Sequence, residues 1–217
     1  MDSLDDRLTK HVELLVRRYP SVKLIRDDIV SAYKMMEKCY ERDGKLLIAG
    51  NGGSASDSEH MAAELMKSFK VSRKVNKDFA GRLQDIDERR GRLLAGCLER
   101  ALPAMPLVSQ GALITAYLND VGREGIFAQQ LMGYGKAGDI FLGVSTSGNS
   151  KDIINAAVTA KAMGIEVIAL TGKNGGELVK FADVAVKVPE EETYMIQELH
   201  LPVYHCWCLM LEERFFG

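Results

Sequence analysis

Residues 140–150 read IFLGVSTSGNS, an apolar run that passes directly into small polar residues. The run Ile140–Ser145 lacks the alternation of a half-exposed strand and predicts a strand that is buried on both faces, as in a parallel sheet. The polar residues stand immediately before helix-forming Lys151-Asp152-Ile153-Ile154. We therefore predict a strand, a tight loop and a helix in succession, which is the repeating unit of α/β folds.

The same rhythm recurs from residue 44 onward. Further apolar runs predict strands at Lys45–Ala49, Pro106–Ser109, Val167–Thr171 and Val184–Val188. Helical periodicity predicts helices at about Ser54–Phe69, Gln110–Tyr117, Gly125–Met132, Ser150–Ala162, Gly176–Phe181 and Thr193–Glu213. The sequence thus predicts an α/β fold, a doubly wound, five-stranded parallel sheet flanked by helices.

The N-terminal part is predicted to be helical. Apolar residues recur at three- and four-residue spacing on both sides of Tyr19-Pro20-Ser21, so two amphipathic helices suited to subunit packing are expected. No repeat or low-complexity linker divides the chain. We predict a single domain over residues 1–217, with a helical part at 1–43 and the α/β part at 44–217.

Composition excludes several classes of protein. The 217 residues include 28 Lys plus Arg and 30 Asp plus Glu, a net charge of −2, so a polycation that binds nucleic acid is not indicated. No apolar run approaches the ~20 residues that span a bilayer, and the opening MDSLDDRL lacks a basic start to a signal peptide. The four cysteines lack C-x-x-C spacing. A cytoplasmic protein with reduced, mostly buried thiols is expected, without nucleic-acid or membrane partners.

One segment, Lys70–Ala104, departs from the α/β rhythm. It is too long for a bare connection, and we expect a helix around Asp87–Ala101. Its bases, Arg73 among them, could form a patch for an acidic ligand or nucleic acid. Acidic residues are interspersed with them, which favours a solvated helix surface.

Two loops are candidates for ligand binding, since ligands of open parallel sheets bind beyond the carboxyl ends of the strands. Residues 145–150 offer the hydroxyls of Ser145, Thr146, Ser147 and Ser150 at a helix N-terminus, where the helix dipole favours an anion. Without the lysine of a P-loop, a phosphate monoester fits better than a nucleoside triphosphate. Helix capping alone would explain the same residues. A second tight turn, with Asn51, Gly52, Gly53 and Ser54, favours the phosphate site.

Ionisable residues within two predicted helices point to chemistry. His60 and Glu64 are four residues apart and share one helix face, and their neighbours suggest that this helix is largely buried. The last helix contains Gln197, Glu198, His200 and His205 among apolar residues. Pro202 is expected to bend that helix and direct His205, whereas His200 reads as a core histidine.

Taken together in order, these motifs resemble the sugar isomerase (SIS) domain, and within it the phosphoheptose isomerase family. They are GNGGS at 50–54, His60 and Glu64, STSGNS at 145–150, LTGKNGG at 170–176, and IQELH at 196–200 with His205. The resemblance covers residues 45–210. It implies a homotetramer, packed partly by its N-terminal helices, that converts a ketoheptose 7-phosphate, sedoheptulose 7-phosphate, into the aldose D-glycero-D-manno-heptose 7-phosphate through an enediol.

The resemblance also implies roles for individual residues. Glu64 would be the catalytic base and His205 the acid. The residues implied in substrate binding are Asn51, Gly52, Gly53, Ser54, Asp120, Ser145, Thr146, Ser147, Ser150 and Gln197. Some members of the family carry zinc, and the positions that match its ligands are His60, Glu64, Gln197 and His205. The enediol mechanism itself needs only the base and the acid.

The chain departs from the family pattern in two places. The segment Lys70–Ala104 is longer than in the shorter isomerases, and Gln110 follows Ser109 where many of them place an aspartate. An isomerase of another sugar phosphate therefore stays open. So does a non-catalytic SIS protein, which would bind either a sugar phosphate or a protein partner such as a replication initiator. The retained Glu64 and His205 favour an enzyme over a SIS protein that binds a replication initiator.

Overall fold

The computed structural model describes residues 4–217; Met1–Ser3, part of the acidic opening, lie outside it. Its helices are α1 Asp6–Arg18, α2 Arg26–Glu41, α3 Gly53–Met66, α4 Lys77–Ile86, α5 Glu88–Cys97, α6 Gly111–Asp120, α7 Ile126–Tyr134, α8 Lys151–Ala162 and α9 Thr193–Phe216. Its strands are β1 Leu46–Gly50, β2 Ala104–Pro106, β3 Ile140–Ser145, β4 Glu166–Thr171 and β5 Val184–Lys187.

The five strands form one parallel sheet in the order β2-β1-β3-β4-β5. The chain winds outward in both directions from β1, so β1 and β3 are central neighbours, with Gly50 paired to Val144. Every residue of β1 and β3 is buried, which explains why their apolar runs do not alternate. The predicted doubly wound fold is confirmed.

Successive strand residues point into two cores. Leu46, Ile48 and Leu142 join the core beneath α1, α2, α3 and α9. Leu47 and Phe141 join the opposite core, beneath α7 and α8. The sheet is therefore covered on both faces.

The N-terminal helices pack against the long α9. Trp207 of α9 is fully buried and its indole N–H donates to the carbonyl of Ile29 in α2, at 3.0 Å. Leu8, Val12 and Leu15 of α1 are buried in the same core. The two predicted helices are confirmed, with the break between them formed by the 3-10 turn Pro20–Ile25.

For two elements, the predicted type of secondary structure was wrong. Pro106–Ser109 is not a strand: β2 ends at Pro106, whose missing N–H suits only an edge strand, and Leu107–Ser109 turns as a 3-10 helix. Gly176–Phe181 is not an α-helix, because positive φ at Gly176 leaves only the short 3-10 turn Leu178–Lys180.

The segment between α3 and β2 holds a helical hairpin, α4 and α5, rather than the single helix expected around Asp87–Ala101. Helix α5 begins near the predicted position and ends four residues earlier, at Cys97. A Cβ at Gly91 would collide with the carbonyl of Leu83, so glycine permits the two helices to pack closely. An antiparallel bridge between Lys74 and Glu99 closes the base of the hairpin.

In the described part of the chain, no helix is long and apolar enough to cross a bilayer. The four cysteines are free thiols, as expected. Cys39, Cys206 and Cys208 are buried and Cys97 is exposed. Burial raises the pKa of the Cys206 thiol to about 12, so it is inert as a nucleophile.

Candidate active site

The loops that follow β1, β3 and β4 lie side by side, because these strands are neighbours in the parallel sheet. Helices α3 and α8 begin directly after two of these loops, and α9 packs beside α3. The N-terminus of α9 reaches the same edge, since a Cβ at Gly53 would lie 2.5 Å from the side-chain amide of Gln197. Both candidate loops therefore share one edge of the sheet with three helix N-termini, those of α3, α8 and α9.

The loop after β3 is built as a cradle. Ser145 and Ser150 bring their hydroxyl oxygens within 3.2 Å of each other across it. Gly148 has a φ of +64°, and a Cβ there would collide with the carbonyl of Gly175 in the loop after β4. The backbone N–H of Leu178 donates to the carbonyl of Gly148, at 2.9 Å, and fixes the two loops together. Glycine is required at residue 148 by both its conformation and its surroundings.

The outer side of this loop borders a cavity of about 220 Å³. The side chains of Thr146 and Ser147 line it together with Lys173. The ammonium of Lys173 forms an exposed ion pair with Glu191, at 2.8 Å. Two of the four residues predicted to hold a phosphate thus line a solvent-accessible space with a cation beside it, whereas Ser145 is buried.

The loop after β1 contacts the same helix N-terminus. The amide of Asn51 donates to both oxygens of Asp152, at 3.1 and 2.9 Å, which ties this loop to the first turn of α8. Gly52 has a φ of +57° and leaves open space around its Cα. Ser54 is buried beneath the turn. The expected pairing of the two loops is confirmed as a structural relationship.

Further along α3, the predicted pair His60 and Glu64 meets. His60 Nε2 lies 3.3 Å from Glu64 Oε1, and the ammonium of Lys67 donates to Glu64 Oε2 at 3.0 Å. The side chain of Glu64 is 12% exposed and that of His60 is 43% exposed. The expectation that this helix buries both side chains was wrong for His60, because it lies at the margin of the contact between α3 and α9 and remains partly open to solvent.

His60 is held from α9 by Tyr204. The Tyr204 hydroxyl donates to Asp57 Oδ1 at 3.2 Å and lies 3.0 Å from His60 Nδ1. Burial raises the pKa of Asp57, and burial beside Asp57 raises the pKa of Tyr204. Tyr204 of α9 thus links Asp57 to His60, and His60 contacts Glu64, in one polar chain along α3.

His205 completes this cluster. Its ring contacts His60 edge-to-face, with centroids 4.9 Å apart, and packs on Phe69 at 5.3 Å. Its Nε2 is buried without a hydrogen-bond partner among the described residues. Burial lowers the pKa of His205, the neighbouring His60 lowers it further, and Glu64 opposes the shift. A neutral imidazole with a free nitrogen therefore lies next to the carboxylate.

The four positions that match zinc ligands in the family are only partly assembled. No three His, Cys, Asp or Glu side chains within residues 4–217 are arranged to hold a metal ion. Gln197 lies against Gly53, about two helical turns from His205. The donor types fit zinc nonetheless, since two imidazoles and a carboxylate are ordinary zinc ligands and His205 Nε2 lacks a partner.

Three residues singled out in the sequence stand apart from these clusters. Asp120 ends the exposed helix α6, where it accepts a hydrogen bond from Asn119 and bonds to no other candidate in the described chain. Glu198 is exposed on α9. His200 is fully buried, and burial lowers its pKa to about 4, with the Thr171 backbone opposing the shift. Its interpretation as a core histidine is confirmed.

Sequence reasoning missed several residues of the site. Asp57 had a detectable signal, because it stands three residues before His60 and seven before Glu64, on one helix face. Tyr204 and Lys67 had weaker signals, as sequence neighbours of His205 and Glu64. Phe69 had none, since only the folded chain brings it to His205 on α9.

Comparison with known proteins shows the family to which the chain belongs. The SIS domain family matches residues 105–211. The phosphoheptose isomerase of Sulfurimonas denitrificans is 37% identical over 214 residues, which cover 99% of this chain and 96% of the relative. That of Coxiella burnetii is 33% identical over 93% of this chain and 90% of the relative.

Two solved structures are similar along their whole length. Phosphoheptose isomerase GmhA from Neisseria gonorrhoeae matches with a TM-score of 0.72 and 32% identity, covering 97% of this chain and all of that one. A phosphoheptose isomerase from Francisella tularensis matches with a TM-score of 0.74 and 29% identity, covering 96% and 97%.

The chain is a SIS-domain protein. This follows from the order of the strands in the sheet, from the loop of hydroxyl residues at 145–150 and from the match to the family. At this identity over almost the whole chain, it belongs to the phosphoheptose isomerase family.

Proposed function

We propose that the protein is an aldose–ketose isomerase that converts sedoheptulose 7-phosphate into D-glycero-D-manno-heptose 7-phosphate through an enediol. The observation that supports this most is the meeting of Glu64 with His60 and His205 on two adjacent helices that begin beside the hydroxyl loop. Glu64 lies in the last turn of α3, about 16 Å along the helix from its first residue, so a sugar phosphate that contacts both clusters would do so where two copies of the chain meet. The relatives named phosphoheptose isomerase support the same substrate.

In this proposal the loop after β3 holds the phosphate. The hydroxyls of Ser145, Thr146, Ser147 and Ser150 donate to its oxygens, and the N-terminus of α8 faces the negative charge. Asn51 orients the sugar from the neighbouring loop, and Gln197 holds substrate oxygens from the start of α9. These contacts fix the substrate without taking part in proton transfer.

Glu64 acts as the base. Its carboxylate removes the proton from the carbon beside the carbonyl, and it returns that proton to the neighbouring carbon after the double bond has moved. The side chain is mostly shielded from water, which limits loss of the proton to solvent. Lys67 and His60 contact its two oxygens and hold its orientation.

His205 moves the proton between the substrate oxygens. Because burial keeps its imidazole neutral, one nitrogen donates a proton while the other accepts one. Enediol formation needs such a transfer, since one oxygen gains a proton as the other loses it. The buried Nε2 of His205 has no hydrogen-bond partner in the described chain, so no protein group competes for it in this step.

Zinc binding by His60, Glu64, Gln197 and His205 is a separate part of the proposal. A bound zinc ion would supply a positive charge that polarises the substrate carbonyl. It is supported by the donor types and by the approach of His60 Nε2 to Glu64 Oε1, which lie 3.3 Å apart. No step assigned above to Glu64 or His205 depends on it.

Assembly as a homotetramer is also proposed. Helix α6 has no charged residue before Asp120 and buries no side chain. Leu118 is 44% exposed and Val121, just after the helix, is 70% exposed. A second copy would remove these apolar side chains from water. Light scattering of the purified protein would give the mass of the assembly.

A cytoplasmic location is proposed as well. Sugar phosphates are charged and do not cross membranes unaided, so an enzyme that acts on them works where they are made. The four free thiols are consistent with a reducing compartment.

The proposed function is tested by incubating purified protein with sedoheptulose 7-phosphate and, separately, with fructose 6-phosphate. NMR would follow the formation of aldose phosphate. We expect conversion of the heptose phosphate alone. Conversion of fructose 6-phosphate alone would move the assignment to another sugar phosphate. Binding without any conversion would support a non-catalytic sugar-phosphate protein.

Glu64→Gln is the control variant for this assay. It keeps the shape of the side chain and removes the base, so turnover should fall by a factor on the order of 10² or more. Glu88→Gln makes the same chemical change on an exposed carboxylate of α5 and should retain full turnover. Equal activity of the two variants would refute Glu64 as the base.

A further inference from the structure

A buried ion pair lies behind the proposed base. Arg73 and Glu212 are each 1% exposed, and Arg73 Nε donates to Glu212 Oε1 at 2.8 Å. Arg73 belongs to the segment whose charges were expected to be solvated, so its burial corrects that expectation. A buried pair of charges costs desolvation energy that well-packed apolar side chains would avoid. Its contacts indicate what it does.

The guanidinium of Arg73 closes the C-terminal end of α3. One terminal nitrogen donates to the carbonyl of Leu65 at 2.6 Å, and the other donates to the carbonyl of Glu64 at 3.1 Å. The last carbonyls of a helix have no partner within the helix, so these bonds fix its final turn. Arg73 thereby holds the backbone of the proposed base itself.

Glu212 fixes the segment that follows α3. Its carboxylate accepts the backbone N–H groups of Phe69, Lys70 and Val71 at 2.8, 2.8 and 3.0 Å. Burial acts to raise the pKa of Glu212, but these bonds and Arg73 outweigh it and keep the pKa below its ordinary value. The carboxylate is therefore ionised and fully hydrogen-bonded.

The same pair also reaches the proposed acid. Glu212 stands seven residues after His205, two turns along α9 and on the same face. Phe69, whose backbone Glu212 binds, packs its ring on His205 with centroids 5.3 Å apart. One ion pair thus contacts the backbone of Glu64 and, through Phe69 and α9, the ring of His205.

We propose that the Arg73–Glu212 ion pair is a positioning device, which sets Glu64 on α3 at its working distance from His205 on α9. This inference rests on the proposed function, because it assigns the pair to the same proton transfers. Arg73 does not touch the substrate in this role. Its effect is on turnover, since the phosphate loop is anchored on β3 and does not contact the pair.

Arg73→Lys is the main test. Lysine keeps the charge but lacks the planar fork that reaches both carbonyls and Glu212 at once. Because small displacements of catalytic groups cost up to 10²-fold in rate, kcat should fall at least about tenfold, with KM changed less than about twofold. If Arg73→Lys does not fold, Glu212→Gln is measured in its place and should show the same split. An unchanged kcat would overturn the proposal.

The chain offers a matched control at the opposite edge of the sheet. Asp139 is fully buried and pairs with Lys45 at 2.6 Å, just before β1 and β3 begin. It also accepts the backbone N–H groups of Lys45 and Lys136. Asp139→Asn should lower the unfolding midpoint while the folded protein keeps its kcat. A loss of kcat equal to that of Arg73→Lys would show general destabilisation and overturn the proposal.

A double-mutant comparison tests whether Arg73 acts through the base. Glu64→Asp moves the carboxylate back by one methylene and should itself lower kcat. If Arg73 works by placing this carboxylate, the double variant loses less than the product of the two single losses. Losses that multiply would show that Arg73 acts independently and would overturn the proposal.

A measurement without substrate separates this inference from the proposed function. The chain has four histidines, so their ring resonances are resolvable by NMR with labelled histidine. Arg73→Lys should shift the Cε1 resonances of His60 and His205, whereas Asp139→Asn should not. If wild-type protein fails to isomerise, the proposed function fails while these resonances still report the positioning. Unmoved resonances would overturn it.

Discussion

The Tyr204 hydroxyl lies 3.0 Å from Nδ1 of His60. The same hydroxyl lies 3.2 Å from Asp57 Oδ1, so it bridges two side chains of α3. With Nδ1 held in this way, the other ring nitrogen, Nε2, faces Glu64 Oε1 at 3.3 Å. Tyr204 therefore orients the His60 ring toward Glu64 from another helix.

Tyr204→Phe removes this control and retains the aromatic packing on His205. We expect kcat to fall by about tenfold and stability to fall by about 1 kcal/mol, since Asp57 loses its buried hydrogen-bond donor. Steady-state kinetics and urea unfolding measure the two effects. In Tyr33→Phe, a hydroxyl bound to Glu37 in α2 is lost, which should affect stability alone. Unchanged turnover of Tyr204→Phe would exclude a role in the site.

Ser147→Ala tests the phosphate loop. Its hydroxyl is exposed on the cavity side of the loop, and one hydrogen bond to a charged ligand contributes about 1.5 kcal/mol or more. KM should therefore rise by about tenfold while kcat changes little. Ser31→Ala, in which the lost hydroxyl bonds only to the Asp27 carbonyl, is the control. A defect in kcat with unchanged KM would contradict the assignment of this loop to the phosphate.

Metal content is tested apart from activity. If zinc is a resident ligand, elemental analysis should find about one zinc per chain, and titration of chelator-treated protein with zinc should raise its unfolding temperature. His60→Asn should abolish that rise. Protein that lacks zinc as purified, and that retains full kcat after chelation, would remove zinc from the proposal.

Because His200 is buried in a neutral form, we expect the free energy of unfolding to fall in mild acid. Its pKa falls from 6.5 to about 4 on folding, so between these values the unfolded chain binds more protons than the folded one. The contribution of neutral His200 to the free energy of unfolding is fully present above pH 6.5 and declines as the pH falls toward 4. From pH 7 to pH 5 this residue should cost about 2 kcal/mol in the free energy of unfolding. His200→Leu should show a correspondingly smaller loss in urea unfolding; an equal loss would trace the effect to other groups.

The sheet was predictable because each central strand is buried on both faces, which leaves a continuous apolar run such as Ile140–Ser145. The loop residues were predictable because parallel strands place their carboxyl ends together. Contacts between segments that are far apart in the sequence were not predictable. Glu212 bonds the backbone at 69–71 only after α9 has packed on α3, and Arg73 reads as a surface charge until that packing buries it.

Of the hairpin formed by α4 and α5, only α5 was predicted from the sequence. The charge pattern near Asp87 indicates a helix, and the Asp87 side chain accepts the N–H of Arg90 as its cap. The first helix starts at an Asn76 cap that the sequence shows equally well, since Asn76 accepts the N–H of Phe79. Its apolar residues Phe79, Leu83 and Ile86 also recur at helical spacing, so the sequence carried the signal for this helix as well.

The bridge between Lys74 and Glu99 makes the chain enter and leave this hairpin at one point. The 24 residues between them form a separate helical hairpin that joins the rest of the domain at this one point. The two helices pack mainly against each other, so a change in their length would leave β1, β2 and the Arg73–Glu212 ion pair behind Glu64 in place.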